Sequence, residues 1–398
     1  MRRLISGTTY WNKGKDDFHL PPLTKNLETD VLIIGAGMSG TLCAYVLSQV
    51  EGLRITMVDT LKVAEGSSSA NTGLLQVSSD TMLHEFMETI GEDKARGFYA
   101  MCQMAMEDLF AISEALSGTT IRKRKSLYCA SSLKDVEKIR KEYEALRTQG
   151  MNVEYLEEAE VLKRYRVKCP SALLIDGDAD VDPVAFIRTL TKHNLDAGVV
   201  LYPETEIALD TKRAHSIRTA EGHRISFKYC IFATGYAQKY DLVKDRIAIN
   251  RTYALITEPV GKEPWPEEVM IWETKDPYLY LRTTQDGRIV SGGLDEEKDE
   301  LEENQAAIDE KVEELKGDIR KMMKDALALE THWSYNALFG TVKDGLPLLG
   351  KDPERDNHFY ILGYEGNGTC YSMAGARIIR NLILGEEDPF RDIVRLDR

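Results

Sequence analysis

Short apolar runs of the kind that form buried strands alternate along the chain with apolar positions at helical spacing. Asp30–Ile34 is a nearly continuous apolar run, residues 41–50 have a helical pattern, and Leu53–Val58 is a second apolar run. The order strand, helix, strand is typical of a βαβ unit, which joins two parallel strands through a helix. We therefore predict that the folded part of the chain begins with such a unit.

The same two patterns recur further along the chain. Asp182-Pro183 predicts the start of a helix over residues 184–197, because Asp is a favoured N-cap and Pro suits the first helical turn. A strand, a Gly-rich turn and a helix follow one another again over residues 359–384. The segment 246–335 combines β-rich pieces with one acidic helix, whose apolar positions are Ile308, Val312, Leu315, Ile319 and Met322.

Composition and charge narrow the class of protein. The chain has 398 residues, of which 43% are hydrophobic, and this length favours two domains over a single core. The formal net charge of −14 argues against binding nucleic acid or anionic lipid through bulk electrostatics. No apolar run is long enough to span a membrane, so we predict a cytoplasmic protein. The six cysteines are scattered, which predicts reduced thiols and no metal site.

The turn after the first predicted strand has the spacing of a dinucleotide-binding fingerprint. Gly35 permits a tight turn, Gly37 lets the backbone approach a pyrophosphate, and Gly40 allows the helix to pack closely. Asp59 ends the second predicted strand, where a carboxylate can accept hydrogen bonds from a ribose. This pattern predicts nucleotide binding, but by itself it leaves FAD and NAD both open.

Two later segments favour FAD. Residues 66–75 supply hydroxyls, an amide and small side chains, which suits a long cofactor whose pyrophosphate and ribityl chain need backbone donors. Gly366-Asn367-Gly368-Thr369 opens the last helix, so its N–H groups can face the flavin edge that gains negative charge on reduction. An NAD-dependent dehydrogenase is the alternative, which a colourless purified protein would favour.

Together these motifs resemble the FAD-dependent D-amino-acid oxidase superfamily, and most closely its glycine oxidase, sarcosine oxidase and γ-glutamylputrescine oxidoreductase-like branch. They keep the family order from residue 28 to about 385. Tyr10-Trp11 resembles the lead segment of the γ-glutamylputrescine oxidoreductase-like branch. The matching motifs are GAGMSG with Asp59, GSSSANTGLL, Asp180–Pro183, Ala233–Gly235, Tyr280–Arg282 with Ser291–Gly293, Asp344–Gly350 and Gly363–Gly368.

The resemblance implies an α/β fold with α+β elements. It combines an FAD-binding Rossmann-like domain of the glutathione-reductase type with a substrate domain that has a mixed β-sheet. We predict an N-terminal arm over residues 1–27. The FAD-binding domain is predicted to be discontinuous, and the substrate-binding domain fills the gaps between its parts. The FAD-binding segments are 28–82, 183–245 and 336–398, and the substrate-binding segments are 83–182 and 246–335.

The resemblance also implies the reaction. The protein would be an amine or amino-acid oxidase or dehydrogenase that oxidises a C–N bond to an imine by hydride transfer to flavin N5. The imine then hydrolyses, and oxygen or another acceptor takes the electrons. The alternative is a flavoprotein subunit of a partner-dependent amine or amino-acid dehydrogenase that is inactive alone. A homo-oligomer is compatible with both.

The residues predicted to contact the cofactor come from all of these motifs. Some sarcosine oxidases attach the flavin through a cysteine before the Asp-Gly-Leu-Pro motif, but residues 334–346 contain none, so we predict non-covalent FAD. The predicted cofactor contacts are Gly35, Gly37, Met38, Ser39, Gly40, Asp59, Thr60, Ser67, Ser68, Ser69, Asn71, Thr72, Gly73, Leu74, Ile207, Ala233, Thr234, Gly235, Gly345, Gly363, Gly366, Asn367, Gly368 and Thr369.

The sequence departs from the family pattern at the substrate site. Glycine and D-amino-acid oxidases carry an arginine for the substrate carboxylate shortly before Asp-Gly-Leu-Pro, whereas Phe339 occupies the aligned position here. This favours an alkyl amine or a larger N-substituted substrate in an aromatic pocket of Phe339, Tyr253 and Tyr280, with Trp333. Core packing is the alternative role of these rings. Arg282 is a candidate to replace the missing arginine, with a sheet-edge salt bridge as its alternative role.

Overall fold

The computed structural model describes residues 2–11, 18–208, 215–237, 242–243 and 245–398. Part of the predicted arm, at residues 1 and 12–17, therefore lies outside the described residues. The same holds for residues 209–214, 238–241 and 244 of the predicted segment 183–245.

The strands are mostly short, and several are buried along their whole length. In chain order they are β1 (Ile5–Gly7), β2 (Leu27–Glu28), β3 (Val31–Ile34), β4 (Ile55–Val58), β5 (Leu74–Leu75), β6 (Arg122–Cys129), β7 (Val153–Glu157), β8 (Ser171–Asp180), β9 (Val200–Tyr202), β10 (Ile207–Ala208), β11 (Ser216–Thr219), β12 (Arg224–Ser226), β13 (Tyr229–Phe232), β14 (Ile247–Thr257), β15 (Met270–Glu273), β16 (Tyr280–Thr283), β17 (Ile289–Glu296), β18 (Thr331–Val342), β19 (Leu348–Lys351) and β20 (His358–Leu362).

The helices lie between these strands. In chain order they are α1 (Met38–Ser48), α2 (Leu83–Ile90), α3 (Glu92–Ala115), α4 (Val136–Thr148), α5 (Glu158–Tyr165), α6 (Pro183–Asp196), α7 (Gln305–Met322), α8 (Gly368–Leu384) and α9 (Arg391–Val394).

A six-stranded sheet contains the predicted βαβ unit. Its strand order is β19-β20-β13-β3-β4-β9, and all its pairings are parallel except the edge pair β19 and β20. Every residue of β3 and β4 is buried, as expected for continuous apolar runs in a parallel sheet covered on both faces. The helix α1 connects these two strands and packs against α6 and α8. The βαβ prediction is therefore confirmed.

A larger, mixed sheet lies beside it. Its order is β1-β18-β14-β17-β16-β15-β6-β8-β5, and β7 also pairs with β8. The β15–β6 pair is parallel and its other pairs are antiparallel, so the predicted mixed sheet is confirmed. Strand β18 continues through residue 336, where we placed a domain boundary from the sequence. The domain boundaries stay a prediction.

The two helices predicted from a cap and from apolar spacing are present. Asp182 caps α6 by accepting a hydrogen bond from the backbone N–H of Ala185 at 2.9 Å, and Pro183 is its first residue. The apolar positions of α7, from Ile308 to Met322, are buried against β14, β17 and β18. The acidic face of α7 is thus directed away from the large sheet, as amphipathic spacing predicts.

Candidate active site

The turn between β3 and α1 comes very close to neighbouring backbone. Gly35 has a φ of +116°, and a Cβ atom there would lie 2.2 Å from the carbonyl oxygen of Ala233. A Cβ atom at Gly40 would lie 1.8 Å from the carbonyl oxygen of Gly35. Both positions therefore require glycine. Gly37 has no side chain to cap α1, and the backbone N–H of Met38 donates to Ser68 Oγ at 3.1 Å. The positive end of this helix lies at the cleft, where it favours an anion.

Asp59 lies directly after β4, next to that turn. Its carboxylate accepts hydrogen bonds from the backbone N–H groups of Ala36 at 2.6 Å and Leu61 at 2.8 Å. Burial raises the pKa of Asp59 to about 6, and these two donors act in the opposite direction. The two backbone bonds fix the carboxylate at the end of the strand, where further lone pairs can accept hydrogen bonds from a ribose.

A cleft with about 1400 Å³ of empty space, part of it open to solvent, runs along this edge of the six-stranded sheet. It extends to β14 and β18 of the large sheet through Thr252 and Phe339. The predicted cofactor residues that line this cleft are Gly35, Gly37, Met38, Ser39, Asp59, Thr60, Ser67, Ser68, Asn71, Ile207, Ala233, Thr234, Gly235, Gly366, Gly368 and Thr369.

The remaining predicted cofactor residues do not line the cleft, and several support it from behind. A Cβ atom at Gly345 would lie 2.8 Å from Oγ1 of Thr81, so this glycine allows close packing. The side-chain amide of Asn367 donates to the carbonyl of Gln76 at 2.6 Å and ties two loops together. The set behind the cleft surface is Gly40, Ser69, Thr72, Gly73, Leu74, Gly345, Gly363 and Asn367.

The start of α8 provides a second place for an electron-rich ligand. Gly368 and Thr369 line the cleft, and the residue before them gives the helix no side-chain cap. Thr369 is 1% exposed, and its Oγ1 has no hydrogen-bond partner among the described residues. A buried hydroxyl without a partner at an open helix end indicates a bound group that is polar. Together with the glycine turn and Asp59, these residues fit a long dinucleotide such as FAD.

The four residues predicted for the substrate pocket are separated by the structure. Phe339 lines the cleft, and the other three do not. The Tyr253 hydroxyl donates to Glu296 at 3.0 Å, and the ring lies within a core cluster on the far face of the large sheet. Tyr280 lies opposite Gly292, whose added Cβ atom would be 2.2 Å from the Tyr280 hydroxyl oxygen. Tyr253 therefore has the alternative role, which is packing in the core.

Arg282 lies behind the cleft. Its Nε donates to the carbonyl of Thr72 at 2.7 Å and its Nη2 to the carbonyl of Val181 at 2.8 Å, while Asp180 is 3.9 Å away. The side chain is 2% exposed, and burial lowers the pKa of Arg282 to about 10. The geometry does not support Arg282 as a carboxylate-binding arginine, because its donors already bind backbone carbonyls. A sheet-edge salt bridge does not describe it either, since the residue is buried.

Sequence reasoning missed acidic side chains at the end of the cleft where Phe339 lies. Glu365 lines the cleft and accepts a hydrogen bond from the backbone N–H of Val342. Burial raises the pKa of Glu365 to about 8. Asp295 lies beside Thr252, a residue of the cleft, and burial raises the pKa of Asp295 to about 6. Its Oδ1 has no hydrogen-bond partner within the described part of the chain.

Asp80 also belongs to this acidic region. Asp80 accepts hydrogen bonds from the backbone N–H of Gly366 at 2.8 Å and from the Tyr278 hydroxyl at 3.0 Å. Gly366 and Tyr278 lie 286 and 198 positions after Asp80 in the sequence, so no local sequence pattern reveals these contacts. Glu365 is different, because it lies inside the predicted flavin turn Gly363–Gly368 and could have been chosen from the sequence.

Comparison with known proteins identifies the class to which this cleft belongs. A family model described as FAD dependent oxidoreductase matches residues 30–382. The protein is therefore an FAD-dependent oxidoreductase with FAD as its cofactor. The chain belongs to the DAO family, a group related to amine and amino-acid oxidases.

Several relatives match nearly the whole chain. A putative Rieske 2Fe-2S iron-sulfur protein of Bacillus subtilis is 26% identical, over 97% of this chain and 74% of its own length. The γ-glutamylputrescine oxidoreductase of Escherichia coli is 23% identical, over 92% of this chain and 86% of its own. The crystal structure of glycine oxidase from Geobacillus kaustophilus superimposes with a TM-score of 0.75 at 19% identity, and the match covers 94% of this chain and 99% of that one. These likenesses establish a shared fold.

Other features of the described residues bear on the class of protein. None of their helices combines the length and the apolar character that crossing a membrane requires. They contain no group of three or more His, Cys, Asp or Glu side chains arranged to hold a metal ion. The six cysteines are all buried and not in disulfides, as their scattered positions predict.

Proposed function

We propose that the protein oxidises the C–N bond of a cationic amine that carries no carboxylate beside the reacting carbon, and that the imine product hydrolyses in water. One observation carries this proposal. Among the described residues that line the cleft there is no lysine, arginine or histidine, and Phe339 occupies the place of the family's arginine. A substrate carboxylate would lose its hydration there without gaining a cationic partner, which is costly.

The acidic region supports the same substrate class. Glu365 lines the cleft. Asp80 and Asp295 lie one layer further back, next to residues that line it. Asp295, with a pKa of about 6, is ionised at neutral pH and attracts an ammonium group while it repels a carboxylate, because the low local dielectric strengthens both effects. Glu365, with a pKa of about 8, gains its negative charge when a cation lies beside it. Phe339 offers an apolar ring to the alkyl part of such a substrate.

FAD, when bound, supplies the two-electron acceptor that the oxidation needs. The chain must bind and orient the amine and take up a proton, because an ammonium group has to become neutral before it is oxidised. We propose Asp295 for that role, since its Oδ1 has no partner in the described structure and it lies beside Thr252 at the cleft. A carboxyl with a pKa of about 6 is ionised at neutral pH and can accept a proton.

Anaerobic mixing of the purified holoenzyme with separate substrate pools tests this proposal. The pools are alkyl amines and diamines, N-methyl amino acids, and D- and L-amino acids, and the measured quantity is loss of the oxidised flavin absorbance. Bleaching by the amine pool and not by the amino-acid pools is the expected result. Faster bleaching by a simple α-amino acid would overturn the proposed substrate class.

A second candidate function is that of an electron-relaying flavoprotein. It is favoured by the Bacillus subtilis relative, whose name describes an iron-sulfur protein. In this case a flavin reduced by substrate would pass electrons to a separate redox protein rather than to oxygen. Slow reoxidation of the substrate-reduced flavin by air, together with fast reoxidation by an artificial one-electron dye, would favour this candidate.

A further inference from the structure

Four consecutive backbone carbonyls, at residues 70–73, each accept a hydrogen bond from a donor that is remote in sequence. We call these residues the 70–73 segment. It begins at Ala70, the last residue of the turn Ser67–Ala70, and Ala70 and Asn71 line the cleft. The donor and acceptor pairs are Tyr335 Oη to Ala70 at 2.9 Å, Trp11 Nε1 to Asn71 at 2.7 Å, Arg282 Nε to Thr72 at 2.7 Å and Val181 N to Gly73 at 2.9 Å.

Three of these donors are side chains from other parts of the fold. Tyr335 lies on β18 and Arg282 on β16, both in the large sheet, and Trp11 lies in the N-terminal arm. Loops usually satisfy their carbonyls with water or with their own neighbours, so four long-range donors in a row form an unusual degree of restraint. The position of the 70–73 segment is thus set by groups outside it.

Of the three side-chain donors, Arg282 requires the largest free energy to bury, because it is a cation. It is buried, and its nearest carboxylate, that of Asp180, is 3.9 Å away and already binds Arg122 at 2.7 Å and Arg124 at 2.9 Å. Burying a cation that lacks a close partner of its own is unfavourable, and an apolar side chain would fill the same space at lower cost. The guanidinium does provide donors to Thr72 and Val181 at once. This double contact is the distinctive role of the arginine.

Trp11 completes the arrangement from the arm. Its indole is 6% exposed, lies 5.1 Å from the Arg282 guanidinium and makes an edge contact with Tyr10 at 4.5 Å. The Tyr10 hydroxyl donates to Asp286 at 2.6 Å, away from the 70–73 segment. Tyr10 therefore anchors the arm, whereas Trp11 contacts the loop at the cofactor cleft.

We propose that Trp11, Arg282 and Tyr335 are positioning residues for the FAD, which act by fixing the 70–73 segment in the orientation that the cofactor contacts. The proposal does not depend on the substrate, because it concerns cofactor binding. It assigns the arm a role in the FAD site rather than in folding alone.

Paired variants test this proposal in the full-length protein. Trp11→Phe and Tyr335→Phe each remove one donor and keep a ring, and Tyr10→Phe is the matched control, since it removes a hydroxyl from the same aromatic cluster. The measurements are FAD affinity by calorimetric titration of the apoprotein, and the visible circular dichroism of the bound flavin. We expect Trp11→Phe and Tyr335→Phe to weaken FAD binding by about 3- to 10-fold, as expected for one neutral hydrogen bond. Their flavin dichroism should change, whereas Tyr10→Phe, which keeps the hydrogen bonds of Trp11 and Tyr335, should have a clearly smaller effect on both quantities.

The arginine is tested in the same way. Arg282→Met should weaken FAD binding by about 10-fold or more, because hydrogen bonds from a charged donor are stronger. Arg122→Met is its control, since Arg122 donates to Asp180 and to the carbonyl of Thr283 rather than to the carbonyls of the 70–73 segment. If Arg282→Met does not fold, the two phenylalanine variants decide the question. Unchanged FAD affinity and dichroism in both, or changes equal to those of Tyr10→Phe, would overturn the proposal and leave these residues a structural role.

Discussion

The two ends of the cleft are built from different chemical groups. At the end formed by β3 and α1, the main elements are backbone groups and glycines, with Asp59 held by two backbone N–H bonds. At the other end, side chains decide the character of the surface, with the ring of Phe339 and the carboxyl of Glu365. The first end recognises a shape that all dinucleotides share. At the second end, substitution of a few side chains can change which ligand binds while the fold stays the same.

We infer that the first end contributes cofactor affinity and that the second end contributes substrate specificity. Where backbone groups bind the ligand, as in the turn between β3 and α1, a single added side-chain atom can block the close approach of backbone and ligand. We call this end the backbone cradle, and its variants should lose the ligand almost completely or not at all. A side-chain surface responds in a graded way, because one charge or ring changes one contact. Four predictions test this comparison.

Gly40→Ala should give the largest effect. The added Cβ atom would lie 1.8 Å from the carbonyl oxygen of Gly35, so the turn must open and FAD affinity should fall by about 100-fold or more. The flavin content of the purified protein measures this. Gly317→Ala in α7 is the control, because an added Cβ atom there meets nothing within 4 Å. A Gly40→Ala protein that retains its full flavin content would contradict the backbone-cradle interpretation.

Phe339→Arg should give the next largest effect. A guanidinium at this position would supply the missing cation, so kcat/KM for simple α-amino acids should rise by about 10-fold or more. The same change should lower kcat/KM for amines, because two cations would then meet in the cleft. Phe339→Leu, which removes the ring without adding charge, is the control. Equal effects of the two substitutions on amino-acid turnover would show that charge at residue 339 does not select the substrate.

Asp295→Asn should have an intermediate effect that depends on pH. Because the pKa of Asp295 is raised to about 6 by burial, its carboxylate forms as pH rises through 6 and is lost below it. For the natural protein, kcat/KM with a cationic amine should therefore rise between about pH 5 and 7. The variant should be about 10-fold slower at neutral pH and should lack this rise.

The neighbouring exposed residue Glu297 provides a control for that experiment, since Glu297→Gln removes one negative charge near Asp295. An identical pH profile for Asp295→Asn and the natural protein would exclude Asp295 as the titrating group.

Tyr253→Phe should have the smallest effect on catalysis. The hydroxyl binds Glu296 within the large sheet and not the cleft, so kcat/KM should change by less than about 2-fold. The loss of this hydrogen bond should lower the free energy of unfolding by about 1 kcal/mol, measured by urea denaturation. A large loss of activity without a loss of stability would restore Tyr253 to the substrate pocket.

The parts of the fold that follow from local sequence were predictable. Gly35, Gly40 and Asp59 lie within one βαβ unit, where period, spacing and turn chemistry act over short distances. The same holds for α6, whose cap and first residue are adjacent in sequence, and for α7 with its regular apolar positions. These elements require no knowledge of distant contacts.

The substrate end was predicted less well for the opposite reason. Tyr253 and Tyr280 lie on strands with alternating faces, and the pairing register that decides which face meets the cleft is a long-range property. Asp80 reaches the flavin turn through a contact 286 residues apart in sequence. Neither role predicted for Arg282 fits its position, because its partners are backbone carbonyls, which carry no sequence signal.

Strand β18, which lies next to the edge strand β1, carries residues with four different roles. Trp333 contacts the arm, Tyr335 binds the 70–73 segment, Phe339 lines the cleft, and the N–H of Val342 binds Glu365. The first three are an even number of positions apart, so they share one face of the strand. One inserted or deleted residue near the start of β18 would turn this whole set to the opposite face. A change of length within β18 would therefore displace all of these contacts at once, whereas a surface turn such as residues 220–223, between β11 and β12, can take an insertion without shifting the register of a buried strand.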